Sequence, residues 1–418
     1  VARSTTFKIN ITVVNPGSGN KYYYDGILVP YITLNPGCTY EFNQDDSTNG
    51  GHPLRFSTTS DGSHGGGSEY TTGVTTSGTP GSATAFTKIE VTSSTPFVLY
   101  TYCTQHSGMG GYINIPDNIP AAGSGDIGLF MGGSTPSNSN VMDFVNISVS
   151  SNATDYGDLV AAAQAGSALC DGVSAYYAAG DSDTNGLEKI NLATRGNSAS
   201  STDIETSAYG RGPAQDKIRG ILGGGYPGSS ATNAISFFNF KTTATGADFG
   251  DLTVARFGVG GCSSPTRGLF VGGEGTSGSS DRKNTIDYVT IASKGNAVDF
   301  GDYTQSAEFV VSASSSTRGL MAGGQGNSPG PYNDDIRYVT ISSTGDTTDF
   351  GNLVSAKGGM GGVTNNTKCI FGGGGTPSQT AVIDVITIAS TGDAADFGDL
   401  TTARSRVNAT GNGIGGLQ

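Results

Sequence analysis

Residues 267–303 read RGLFVGGEGTSGSSDRKNTIDYVTIASKGNAVDFGDY. A short apolar run closes on Gly272-Gly273, and a polar loop follows. Ile286 to Ile291 then alternates apolar and polar side chains, which suits a strand with one buried face. A turn at Lys294 to Asn296 leads to Asp299-Phe300-Gly301-Asp302. The same order returns at Arg318 (RGLMAGG, RYVTISSTG, DFGN) and at Lys368 (KCIFGGG, DVITIASTG, DFGD), with weaker copies from Ile127, Ala175 and Arg219. A fixed period outranks every local signal, because each unit of a repeat buries its apolar face against its neighbours.

The Gly-Gly or Ala-Gly pairs end at Gly133, Gly180, Gly224, Gly273, Gly324 and Gly373, about fifty residues apart. Asp-aromatic-Gly units begin at Asp155, Asp248, Asp299, Asp349 and Asp396, and Asp203-Ile204 fills the weak second slot. Six copies with room for four short strands each indicate a propeller rather than helical or leucine-rich repeats. In the fourth copy the expected strands are Ala255 to Cys262, Leu269 to Val271, Ile286 to Ile291 and Val298 to Phe300. The first copy starts at its second strand, Ile127. The segment Ala403 to Thr410 is left over at the C-terminus and matches a first strand. Joining it to the first copy would close the ring and protect the sheet edges.

Apolar-Gly-Gly, an alternating strand and a late aromatic position resemble kelch repeats of the galactose-oxidase type, over about two-thirds of the chain. The chain has no Trp, so Phe or Tyr of the Asp-Phe-Gly-Asp unit would take the place of the tryptophan often found late in a kelch unit. The phrasing GLFxGG…DYVTIASTGNAxDFGDL also resembles repeats in structural proteins of marine cyanophages. That resemblance implies a non-enzymatic virion or extracellular protein: capsid decoration, or a tail or fibre component. Its implied partners are other virion proteins, further copies of itself, and a host-surface glycan or protein.

Composition bounds these readings. Charged residues make up 14% of 418, Gly numbers 67 and the net charge is −13. This is turn-rich β composition rather than disorder, since strand-like runs recur throughout. The acidic balance argues against nucleic-acid binding through a basic patch. No apolar run reaches the length of a membrane span. The chain opens at Val1 without a signal-peptide pattern, so it is either processed or part of a longer chain. Five cysteines at wide spacing do not describe a disulfide framework, and Cys170, Cys262 and Cys369 are expected to be buried thiols.

Residues 1–116 form a different β unit. Phe7 to Val14, Tyr22 to Tyr24, Ile27 to Leu34, Thr39 to Phe42, Leu54 to Ser57, Thr87 to Val91 and Phe97 to Tyr102 are candidate strands. Their spacing predicts a β-sandwich. The Gly-rich loop from Ser57 to Ser82 is long enough to be functional or mobile. Residues 117–126, with two prolines among 114–126, read as a linker to the repeats at 127–418.

All three histidines, His52, His64 and His106, lie in this first unit. No imidazole is therefore left for a galactose-oxidase-type copper site in the repeats. Gly51-His52-Pro53 precedes a strand, and Cys103-Thr104-Gln105-His106-Ser107-Gly108-Met109 follows the last long one. This Cys-x2-His-x2-Met loop with an upstream His resembles cupredoxins with short ligand loops. The resemblance implies a cupredoxin-like sandwich and a copper site. His52 and His106 would be the imidazole ligands, Cys103 the thiolate and Met109 the weak axial thioether, a soft set that favours copper. It also implies a second functional reading, a secreted or periplasmic blue-copper electron-transfer protein with the propeller as docking domain. Two alternatives stay open: Cys38 could bond to Cys103, or the loop could serve packing alone. His64, in a Gly-rich loop, reads as a solvated or contact residue rather than a ligand.

No catalytic set stands out. There is no nucleophile elbow in an α/β setting, no phosphate-binding Gly-Lys-Ser/Thr motif and no singled-out carboxylate pair of glycosidase type. The Asp-Phe-Gly-Asp unit recurs once per copy and is expected to be turn chemistry. Asp281, Asp334 and Asp335 sit on variable loops that could touch a partner. A third reading is a glycan-binding propeller.

Overall fold

The computed structural model describes residues 6–28, 31–35, 37–92, 95–96, 98–115, 125–178, 180–181, 186–204, 207–242, 245–275, 281–327, 332–365 and 367–413. The described residues are all-β, with two short 3₁₀ turns at Ser47–Asn49 and Gly62–Gly65 as the helical elements. No helix among them is long and apolar enough to cross a membrane. The chain divides into two compact units, Val1–Ile119 and Pro120–Gln418. Of the expected linker, only residues 125 and 126 lie within the described residues.

The first unit holds β1 (Thr6–Val14), β2 (Lys21–Tyr24), β3 (Tyr31–Thr33), β4 (Thr39–Asn43), β5 (Leu54–Ser57), β6 (Val74–Ser77), β7 (Phe86–Glu90), β8 (Val98–Cys103) and β9 (Tyr112–Asn114). One sheet runs β2-β1-β4-β7-β6 and the other β3-β9-β8-β5. Alternation buries one face of each. Ile11, Phe42 and Ile89 from the first sheet share a core with Leu54, Phe56, Leu99 and Ile113 from the second. Two pairings are parallel, β1 with β4 and β3 with β9. The sequence pattern finds neither β6 nor β9: β6 lies within the Gly-rich loop, and β9 is three residues long.

The second unit contains six four-stranded antiparallel sheets, one per repeat copy. The first is completed by Asn408–Gly411, which pairs antiparallel with Ile127–Met131. One edge strand of each sheet touches its counterparts in a fixed order. Ser167–Cys170 lies beside Gly212–Gln215, which lies beside Gly260–Ser263, then Val311–Ser314, Gly361–Thr364, Asn408–Gly411 and Ser167–Cys170 again.

Two expectations are corrected. The first strand of the fourth sheet is Gly260–Ser263 rather than Ala255 to Cys262. Arg256 has left the sheet to make a buried ion pair with Asp287 at 2.9 Å, and Gly258 has a left-handed backbone at φ 65°. The fourth strand, expected at Val298 to Phe300, runs Val298–Asp302, so it takes in the Gly301 and Asp302 that were expected to be turn chemistry. The register slips opposite Gly301. A Cβ on Gly301 would stand 2.5 Å from the backbone of Gly345 in the next sheet, so the glycine serves close approach. Phe300, like Tyr156, Phe249, Phe350 and Phe397, fills the core.

Basic residues at the start of second strands tie adjoining sheets together. Arg267 lies over the Tyr288 ring at 4.6 Å and donates to the Ile341 carbonyl. Arg219 reaches the Ile291 carbonyl, Arg318 that of Ile388 and Lys368 that of Ser148. Cys170, Cys262 and Cys369 are buried, as expected, and all five cysteines are free thiols. Of the loop carboxylates, Asp281 pairs with Lys283, and Asp335 faces Arg337 at 3.5 Å.

Candidate metal centre

The antiparallel register of β5 on β8 sets Leu54 opposite Cys103. His52, two residues before β5, therefore meets Cys103 at the end of β8. The turn after β8 brings His106 back to the same place. His52 Nδ1 lies 3.9 Å from Cys103 Sγ, and His106 Nδ1 lies 3.7 Å from it. The two imidazoles are 4.6 Å apart between centroids. One ligand atom from each of the three residues lies within 4.8 Å of the others. Donors arranged around one ion at bonds of about 2.0–2.3 Å lie roughly 3.5–4 Å from one another, so the spacing fits a single metal ion. Cys103 is buried, His52 half-buried and His106 exposed, so the cluster opens to solvent on the His106 side. Met109 is buried in the same core as Cys103, and its carbonyl accepts from Tyr22 N.

Neighbouring polar groups hold the donors in place. The His52 carbonyl accepts from Tyr22 Oη and from Gln44 Nε2, both at 2.9 Å. Gln44 Oε1 in turn accepts from Leu54 N. His52 N donates to the Asn49 carbonyl, and Asn20 Nδ2 lies 3.4 Å from His52 Nε2. Burial lowers the pKa of His52, and the neighbouring His106 lowers it further. Both effects favour the neutral imidazole that a metal requires. Burial, reinforced by Cys103, raises the pKa of Tyr22, which keeps its proton for the His52 carbonyl.

His64 stands apart from the three donors. Its Nε2 lies 3.0 Å from the Cys103 carbonyl oxygen, so the Gly-rich loop props the ligand strand. Asp61 in the same loop accepts from Gly108 N, and Lys21 Nζ donates to the Gly108 carbonyl. The sequence reading missed Tyr22, Gln44 and Asp61, and no local motif marks them. It also missed three fully buried ion pairs in the second unit: Arg256–Asp287, Lys357–Asp384 and Arg404–Asp143. These leave a visible trace. Arg or Lys follows Ala in VAR, SAK and TAR after the Asp-Phe-Gly unit, and a lone Asp interrupts each apolar third strand.

No protein-family model and no curated protein matches this chain. Among solved structures, YjhT is similar at 11% identity and a TM-score of 0.51, covering 59% of this chain and 87% of that one. A likeness at that identity speaks to the fold over the matched span.

Proposed function

We propose that this is a non-enzymatic structural and attachment protein of a phage virion. In this reading a cupredoxin-like sandwich is joined to a six-bladed kelch-like propeller. The observation that carries it is the pairing of Asn408–Gly411 with Ile127–Met131, together with the cyclic order of the touching edge strands. A closed ring is a rigid scaffold, and its connecting loops differ from copy to copy, which suits recognition. The virion setting draws on the resemblance of the repeats to cyanophage structural proteins. The partners would be neighbouring virion proteins, including copies of this chain, and a glycan or protein on the host surface. Mass spectrometry of purified virions tests the setting, and antibodies against residues 127–418 should block adsorption. Absence of the chain from purified virions sinks the reading.

The donor spacing in the first unit favours a second reading, in which that unit binds copper. His52, Cys103 and His106 would hold the ion, and Met109 would offer a weak thioether donor. Bound copper would supply one-electron redox chemistry. The chain's own part is to fix two imidazoles against a thiol and to keep the Met109 side sealed from water. Metal analysis and a visible spectrum before and after Cu(II) addition, on wild type and Cys103→Ser, test it. Stoichiometric copper with an intense visible band, both lost in the variant, supports the reading. Without metal or colour, the unit serves only as a structural module.

A further inference from the structure

We propose that the second unit binds a carboxylated saccharide in the cleft beside Phe309 and Arg406. The proposal rests on the host-surface reading above and names the ligand class for it.

Six equivalent positions, one per sheet, have left-handed backbones: Ala165, Gly210, Gly258, Phe309, Gly359 and Arg406, with φ between 50° and 69°. They are linked in a cycle. Ala165 N donates to the Arg406 carbonyl, Gly210 N to that of Ala165, Phe309 N to that of Gly258, and Gly359 N to that of Phe309. Val259 N donates to Gly210 and Val407 N to Gly359, which completes the circuit. All six line one narrow cavity of about 80 Å³. Glycine takes this conformation without strain and fills three of the places. A bulky side chain here is a backbone outlier that is held at a cost in strain. Phe309 and Arg406 keep that strain, and they are side by side: the guanidinium lies over the Phe309 ring at 4.9 Å.

Both residues also line a wider cavity of about 270 Å³, together with Tyr332, Gln164, Gln325 and Gln379. Arg406 is the one charged group among the described lining residues, in a chain of net charge −13. Its guanidinium makes no ion pair with a described residue. The nearby carboxylates are engaged elsewhere, Glu308 by Arg282 and Asp181 by Gln164 and Asn138. An exposed guanidinium seated on an aromatic ring presents a fork that matches a carboxylate. The primary amides of Gln325 and Gln379 offer donors and acceptors suited to hydroxyls, while that of Gln164 is held by Asp181. Phe309 and Tyr332 supply apolar faces for a ring, and the volume suits one or two sugar residues rather than a larger ligand. One charge among neutral amides matches a monoanionic sugar acid.

The test uses the full chain in calorimetric titrations with glucuronate- and galacturonate-containing oligosaccharides and with neutral oligosaccharides of equal length. We expect binding of the acidic sugars alone, weakened at least tenfold by Arg406→Gly and by Phe309→Gly. Because Gly210, Gly258 and Gly359 already occupy the equivalent places, neither variant should lower the melting temperature. Equal binding of neutral and acidic sugars, lost in both variants, overturns the acidic class and keeps a glycan site. Acid binding unaffected by Arg406→Gly overturns the site. Failure of every saccharide to bind the wild-type chain overturns the proposal together with the glycan form of the host-surface reading.

Discussion

Arg404 donates to the Asp143 carboxylate at 2.6 Å across 261 residues of sequence, with both side chains fully out of solvent. Thr401 donates to the same carboxylate from backbone and side chain. The pair joins the segment leading into the last strand to the third strand of the first sheet, so it couples the two ends of the repeat array. Burial raises the pKa of Asp143 against the pull of Arg404 and Thr401. Removing one partner strands the other in a dry site. Arg404→Met should therefore cost about 3–5 kcal/mol, whereas Arg404→Met with Asp143→Leu should recover most of the loss. Urea unfolding followed by circular dichroism measures both. A single variant with an unchanged midpoint would show that the pair contributes nothing to holding the last strand on the first sheet.

A second prediction concerns the repeated tetrapeptide. Gly301 has φ 145°, and a Cβ there would meet the Gly345 backbone at 2.5 Å. Gly301→Ala should destabilise by about 1–3 kcal/mol through strain and lost inter-sheet contact. Asp299, in the same tetrapeptide, is exposed, and Asp299→Ala should stay within about 0.5 kcal/mol of wild type. Equal effects of the two changes would argue that the carboxylate matters as much as the close approach.

The repeat was legible because each copy must bury the same face, so Gly-Gly, the alternating strand and Phe300 recur at a fixed spacing. The pairing of the C-terminal strand with Ile127–Met131 was legible for a simple reason: one strand was missing at one end and one was spare at the other. Arg256 was not legible as a crossover residue, since its run of small and apolar neighbours scores as strand and its Asp287 partner lies in another strand. Gly301 has the local chemistry of a turn, and only the approach of Gly345 makes it a strand glycine. In the first unit the resemblance of the Cys-x2-His-x2-Met loop to cupredoxins pointed to His52, Cys103 and His106, which the fold brings together. Tyr22, Gln44 and His64 were not, because their roles arise from strand pairing and loop folding across the unit.

The third prediction is a pH dependence. Glu274 is buried, and burial first and then the neighbouring Glu308 push its pKa from 4.5 up to about 7, against the pull of Arg282. Asp281 acts in the same direction as Glu308. A carboxyl whose pKa is raised by folding binds its proton more tightly in the native state. Its contribution is fully present below pH 4.5 and is lost as pH rises through about 7. Glu274→Gln keeps the protonated shape without the ionisation. The melting temperature of the wild type should therefore fall relative to the variant between pH 5 and pH 8, by a few degrees. Parallel curves for the two proteins over that range would remove Glu274 as the titrating group.

The last prediction separates a built metal site from a chance cluster. Tyr22 Oη holds the His52 carbonyl from outside the donor set and also interacts with Cys103, so it supports two of the three donors without being one of them. Tyr22→Phe removes one hydrogen bond, worth about 1 kcal/mol of stability. If the three donors bind copper as a unit, the loss of this support should also weaken Cu(II) affinity by about 10- to 100-fold. A competition titration against a chelator measures this, with Cys103→Ser as the reference for full loss. Copper at 100 times its dissociation constant should stabilise the first unit of the wild type by about 2.7 kcal/mol, seen as a rise in its melting temperature. That rise should shrink in Tyr22→Phe and vanish in Cys103→Ser. A rise that survives both substitutions would place the metal elsewhere and leave His52, Cys103 and His106 as packing.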